Sequence, residues 1–296
     1  MWLLIAFLSP VLYAWANVFD NFIIGKFKTP FTLSFYSSLS GLVFAPILFL
    51  VQRPALPPVG TWPVFVGLGA VNILYLYPYY RALQTEDTSV VVSLFSLSRI
   101  WIPILAFLIV GEVLAPAQYI GIFIITVASI SLGLSRRHLR LRLSQAFWWM
   151  ILAAFITSFE GVFLKYLYDR GVGWSTAVGG ELLMSVVLMS LLFVNSSYRR
   201  SVAAQFPRFK QMLYTIGVEE TFTFLAFAAS SFAITLAPVS AVSAISLFTP
   251  FFALFYAGSL SRRLPRFFKE KIDGGSVIKK SVLFAAMILG VILVAS

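Results

Sequence analysis

Glu219 and Glu220 are adjacent within the apolar stretch 211–236. Neighbours on a helix are about 100° apart, so both carboxylates can border one cavity. Two carboxylates that close repel in a low dielectric, which suits the pair to share a proton or to yield it to a cationic ligand. Asp20, Glu160 and Glu181 lie in other apolar stretches, opposed only by Arg99 and Lys165. Charge in such surroundings is costly and is read first as function. Full pairing of these five acids with two bases leaves three acids to be protonated, hydrated or met by a ligand. Arg99 offers a planar fork suited to a carboxylate or phosphate. Its structural alternative is to pair with Glu160 or Asp20. Trp15, Tyr79, Phe159, Phe222 and Phe224 add ring faces for an organic cation.

Other chemistries lack their residues. The chain has no Cys and one His, His138, which excludes a thiolate metal site, a disulfide and a Cys-His pair. A Ser-His-Asp triad would have to use His138, which stands in a basic run away from the apolar stretches. No phosphate-cradling Gly-Lys-Ser/Thr motif is present, so no intrinsic ATPase is expected. The expectation is a non-enzyme without metal or cofactor.

These groups must be positioned by membrane helices. Of 296 residues, 60% are hydrophobic and 11% charged, with mean hydropathy +0.92. Soluble domains carry about 25% charged residues. Apolar stretches near 3–25, 31–51, 61–82, 88–110, 116–135, 146–168, 174–195, 211–236, 239–260 and 278–295 are each long enough to span a bilayer as a helix. The expected fold is an all-α integral membrane protein with ten spans. The N-terminus reads as the first span, not a cleaved signal. Lys and Arg fall unevenly: 18 of 22 follow the odd-numbered spans. The positive-inside rule puts those loops in the cytoplasm and both termini outside, most simply in a prokaryotic cytoplasmic membrane. The net charge of +11 is thereby assigned to lipid-facing loops, not to nucleic acid. Asn195-Ser196-Ser197 matches a glycosylation sequon beside a cytoplasmic loop and is read as chance.

The halves repeat. Residues 82–103 align without gaps with 233–254, each pairing a helix end with a helix start rich in small and hydroxyl residues. Ala16 and Asp20 align with Gly161 and Lys165. The division is 1–135 as a first five-helix repeat, 136–145 as a basic connector and 146–296 as a second. An odd number of spans inverts one repeat relative to the other. Helical spacing gives polar stripes of Tyr13, Asn17, Asp20 and Asn21 in span 1, and Asn72, Tyr75 and Tyr79 in span 3. Span 4 offers Ser89, Ser93, Ser96 and Arg99. Span 6 offers Thr157, Glu160 and Gly161, span 8 Glu219, Glu220, Thr223 and Ser230, and span 9 Ser240, Ser243 and Ser246. These can line a central cavity. The plainer readings are serines bonding their own backbone, tyrosines in an interfacial belt and Lys165 snorkelling to the surface.

The end of span 3 at Tyr80-Arg81-Ala82-Leu83, the small-residue start of span 4, Gly111-Glu112 closing it, and Gln118, Gly121 and Gly133 in span 5 resemble the drug/metabolite transporter superfamily, in particular its ten-span EamA-like members. The resemblance covers nearly the whole chain. Arg262-Arg263 stands where a second Gly-Glu would fall. The resemblance implies a cavity formed by spans 1, 3, 4, 6, 8 and 9. It also implies termini in the cytoplasm, opposite to the charge count, which is retained. The functional expectation is secondary transport of a small organic metabolite by alternating access, favouring a cation or zwitterion such as an amine, quaternary amine or amino acid. Candidate substrate contacts are Trp15, Asn17, Asn72, Tyr75, Tyr79, Arg99, Glu160, Glu219, Glu220 and Thr223. Asp20, Glu219 and Glu220 are the candidates for proton coupling. The alternative is a flippase or carrier for a lipid or a phosphorylated or nucleotide-linked solute, using Arg99 and the basic loops. Expected partners are the bilayer, the substrate and protons. The chain is taken as monomer or homodimer, with spans 5 and 10 as contact surfaces by fold analogy.

Overall fold

Apolar stretches that must satisfy their own backbone become helices. The computed structural model describes residues 1–24, 26–27, 30–83, 94–133, 145–260 and 274–295, and the apolar stretches are mainly helical where described. The helices are α1 (Trp2–Ile24), α2 (Pro30–Ser38), α3 (Gly41–Val51), α4 (Trp62–Leu74), α5 (Leu76–Leu83), α6 (Ser98–Val110) and α7 (Pro116–Gly133). They continue as α8 (Gln145–Asp169), α9 (Trp174–Leu191), α10 (Ser196–Ile234), α11 (Val239–Ser246), α12 (Thr249–Leu260) and α13 (Gly274–Ala295). Among the described residues, four segments are long and apolar enough to cross a bilayer: Phe31–Val51, Val59–Tyr79, Gln145–Asp169 and Trp174–Val194. Shorter apolar helices lie at Trp2–Asn17, Phe95–Val110, Pro116–Ser131, Val239–Ala253 and Val282–Ala295. This is an integral membrane architecture.

Three stretches that read as single spans are broken partway. Residues 39–40 separate α2 from α3, Tyr75 separates α4 from α5, and residues 247–248 separate α11 from α12. Proline accounts for two of the breaks. Pro78 has no N–H for the Leu74 carbonyl, and Pro250 has none for that of Ser246. Thr249 Oγ1 donates to Ser246 O at 2.7 Å in its place. At the first break, Ser38 Oγ donates to Phe35 O at 2.7 Å, a serine offering the backbone an alternative partner.

A second difference concerns 196–210, a loop by its basic and polar residues. It is the opening of α10, which runs unbroken for 39 residues. Asn195 is its N-cap, accepting at Oδ1 from Ser197 N at 2.9 Å and Tyr198 N at 3.4 Å. Asn195, whose sequon is read as chance, thus serves as a helix cap. This opening carries its buried residues, Val202 and Gln205, against α2: Tyr36 Oη donates to Val202 O at 2.7 Å and Gln205 Nε2 to Thr32 Oγ1 at 3.1 Å.

Packing crosses the two halves. α1 lies along α10, and α8 lies against α4 and α5. α6 packs on α8, while α11 and α12 pack on α1. α3 and α4 pack on α9, and α7 packs on α13. The α7–α13 seam is set by glycine: a Cβ on Gly121 would stand 2.5 Å from Gly290 O, so only the bare backbone allows this approach.

The turn after α6 links the halves through a carboxylate. Gly111 takes the left-handed conformation at φ 70°, and its N–H bonds back to Phe107 O at 3.2 Å, closing the helix. Glu112 then accepts from Val239 N at 2.7 Å and Ser240 N at 3.1 Å. It caps the first turn of α11, where backbone N–H groups have no helical partner.

Candidate functional site

Three acids, on α8, α9 and α10, converge on α1, and a fourth, Glu220, adjoins them. Tyr13 of α1 lies in the electrostatic field of Glu160, Arg99, Glu181 and Glu219. Glu181 is 1% exposed and Glu219 6%. The Glu160 and Glu181 carboxyl groups stand within hydrogen-bonding reach of each other. Carboxylate oxygens only accept, so a bond between two carboxyls needs a hydrogen on one of them. The remaining ligands of Glu181 come from α4: Asn72 Nδ2 donates to Glu181 Oε1 at 3.2 Å and to Ser185 Oγ at 3.2 Å. Glu181 Oε2 is buried without a donor.

The adjacent glutamates also face each other within bonding reach, but they are held by different helices. Glu219 Oε1 accepts from Thr223 Oγ1, one turn on, at 2.7 Å. Glu220 Oε2 accepts from Ser40 Oγ at 2.9 Å. Ser40 occupies the break between α2 and α3, so the interruption carries a donor to the acid.

Arg99 is next to the start of α6. Its Nη1 donates to Ser98 Oγ at 3.2 Å, and its Nε is buried without an acceptor. Glu160 is its principal charged neighbour. Lys165 is engaged elsewhere, pairing with Asp169 at 3.0 Å near the end of α8. Among the described residues, Arg99 is the base that faces Glu160 and Tyr13.

The remaining candidates fall into two groups. Trp15 stacks on Tyr256 with centroids 4.7 Å apart and on Phe222 at 6.3 Å, giving an aromatic wall beside α10. Tyr75 and Tyr79 gather around Phe95, at 6.1 and 5.1 Å. Asn17 is half-buried on α1. The side chain of Asp20, Ser89 and Ser93 of span 4, and the basic connector lie outside the described residues. Thr157 bonds Ala153 O and Ala154 O of its own helix at 3.1 and 3.2 Å, the plainer reading of such hydroxyls. Two residues absent from the candidate set, Tyr13 and Glu181, stand at the centre of the cluster. Their signals were present as an intramembrane acid and the first member of the span 1 stripe.

Residues 1–134 match the family model of the EamA-like transporter family. No curated protein matches the chain. A solved structure described only as "Crystal structure of protein" superposes with a TM-score of 0.66, covering 99% of this chain and 97% of that one at 16% identity. At that identity the likeness is one of fold.

Proposed function

From the premise that the chain belongs to the drug/metabolite transporter superfamily, we propose that it is a secondary transporter of a small organic cation or zwitterion, coupled to protons. The observation that carries this reading is the excess of acid around Tyr13. Glu160, Glu181 and Glu219 surround Tyr13 together with one base, Arg99, and Glu220 adjoins Glu219. Both pairs of carboxyls can hold either a proton or the ammonium of a ligand, and one occupant displaces the other. The stacked Trp15 face supplies a wall for a quaternary or alkylated amine.

The transport cycle would move two five-helix repeats, 1–135 and 146–296, about this cluster, within ten spans. The helix pairing supports that division. Exchanging the halves turns α1–α10 packing into α8–α4 and α5 packing, and turns α6–α8 packing into packing of α11 and α12 on α1. The broken helices at Ser40 and Tyr75 are the kind of discontinuity that transporters place at their sites. The basic loops are assigned to the cytoplasm.

The test is thermal stabilisation of purified protein by amines, quaternary amines, amino acids and sugar phosphates at two pH values. A cationic or zwitterionic solute should raise the melting temperature, and less so at the lower pH. Glu219→Gln and Glu220→Gln should each remove that pH dependence in proteoliposome uptake. Wild-type uptake by both variants would end the coupling reading. Stabilisation by phosphorylated solutes alone would move the site to Arg99.

A further inference from the structure

α6 and α7 enclose a groove of about 450 Å³ on the outer face of the bundle, within the size range of small-molecule sites. Ile100, Ile104 and Phe107 of α6 line one side, and Ile122, Phe123 and Val127 of α7 the other. Phe107 and Phe123 are 56% and 69% exposed, so the groove opens on the surface that lipid covers. Among the described residues, the one charged residue lining it is Arg99. Arg99 stands at one end and Phe107 at the other, about 12 Å apart at 1.5 Å per residue. The guanidinium spends Nη1 on Ser98 and keeps a buried Nε–H without an acceptor. Glu160 faces Arg99 electrostatically yet leaves that donor open.

We propose that this groove binds a single-chain amphiphile with a carboxylate head, its chain laid between α6 and α7 and its head on Arg99. The chemistry of the two ends is the argument. An apolar channel about 12 Å long accommodates a medium-length acyl chain, and a planar N–H donor at its end suits a carboxylate. Arg99 lies about 18 Å along the helix from Gly111, near the middle of a hydrocarbon core about 30 Å thick. A carboxyl is the smallest acidic head and the least costly to bring to that depth, whereas a phospholipid head with its glycerol is far larger and more polar. The site shares Arg99 with the acid cluster but not its acids, and the Val127→Trp arm below tests it apart from that reading.

The test uses the full chain in discs of zwitterionic lipid, with laurate, dodecanol, dodecyltrimethylammonium and acetate as probes of thermal stabilisation. Laurate should stabilise the protein at a concentration at least tenfold below that of the other three. Arg99→Gln should weaken the laurate response at least tenfold, and Arg99→Lys less. Val127→Trp, on the lipid-facing wall, should weaken it comparably by filling the groove while the protein still melts cooperatively. Equal responses to laurate and dodecanol would reduce the groove to ordinary lipid contact and overturn the proposal. So would an acetate response equal to that of laurate, or laurate binding retained by both Arg99→Gln and Val127→Trp. Loss of the laurate response in Val127→Trp with its amine response intact would separate this site from the acid cluster.

Discussion

The α7–α13 seam and the α8–α9–α10 centre are assembled by opposite means. At the seam, Gly121 and Gly290 let two backbones meet, and Gln118 Nε2 reaches Val294 O at 3.2 Å. No charged side chain takes part in the contacts described there. At the centre, carboxyls face carboxyls, and donors such as Asn72, Thr223 and Ser40 reach them from neighbouring turns and helices. Close packing is the main attraction between helices in lipid, whereas buried acids cost stability unless paired. The seam is therefore built for cohesion, and the centre gives up cohesion for chemistry.

The comparison breaks first at the seam. Gly121→Leu would drive a side chain into the Gly290 carbonyl and should cost about 3 kcal/mol or more, seen as loss of monodisperse protein in detergent. Normal melting of that variant would show that the seam is not cohesive. Next comes the link between the two regions. Glu112→Ala removes two charge-assisted bonds to the start of α11 and should cost about 2 kcal/mol, read as a lower melting temperature. Asn72→Ala should cost about 1 kcal/mol but also alter ligand response, since it frees Glu181. The smallest effect on stability belongs to Glu160→Gln. The amide supplies a donor to Glu181, so the melting temperature should hold to within about 1 kcal/mol while the response to amines falls at least tenfold. A large loss of stability with ligand response intact would turn the centre into a structural element.

Sequence carried the helical stretches well, because length and hydropathy alone set them. Pro78 and Pro250 also mark where two stretches break, although hydropathy passes over them. What it could not carry was partnership across the fold. Glu112 is visible as half of a Gly-Glu pair, but the N–H groups it caps lie 127 and 128 positions away. Glu181 stands out as an intramembrane acid, yet nothing local shows that its face of α9 meets Glu160 and Asn72. Asn195 fits a glycosylation pattern and a helix cap equally well. In the structure it caps a helix whose polar opening has one buried stripe, Val202 and Gln205, docked on α2.

That run makes α10 a single rod of 39 residues, about 58 Å at 1.5 Å per residue, nearly twice the thickness of a hydrocarbon core. It carries Glu219 and Glu220 at one level and the exposed Ala203 and Ala204 at another. Pro207 is its one internal proline, so a bend would concentrate there. In a chain without Cys, single cysteines introduced on either side of Pro207 would carry spin labels without background. Such labels act as the tip of a pointer, turning small angular changes at the buried carboxyls into distances that pulsed resonance can measure.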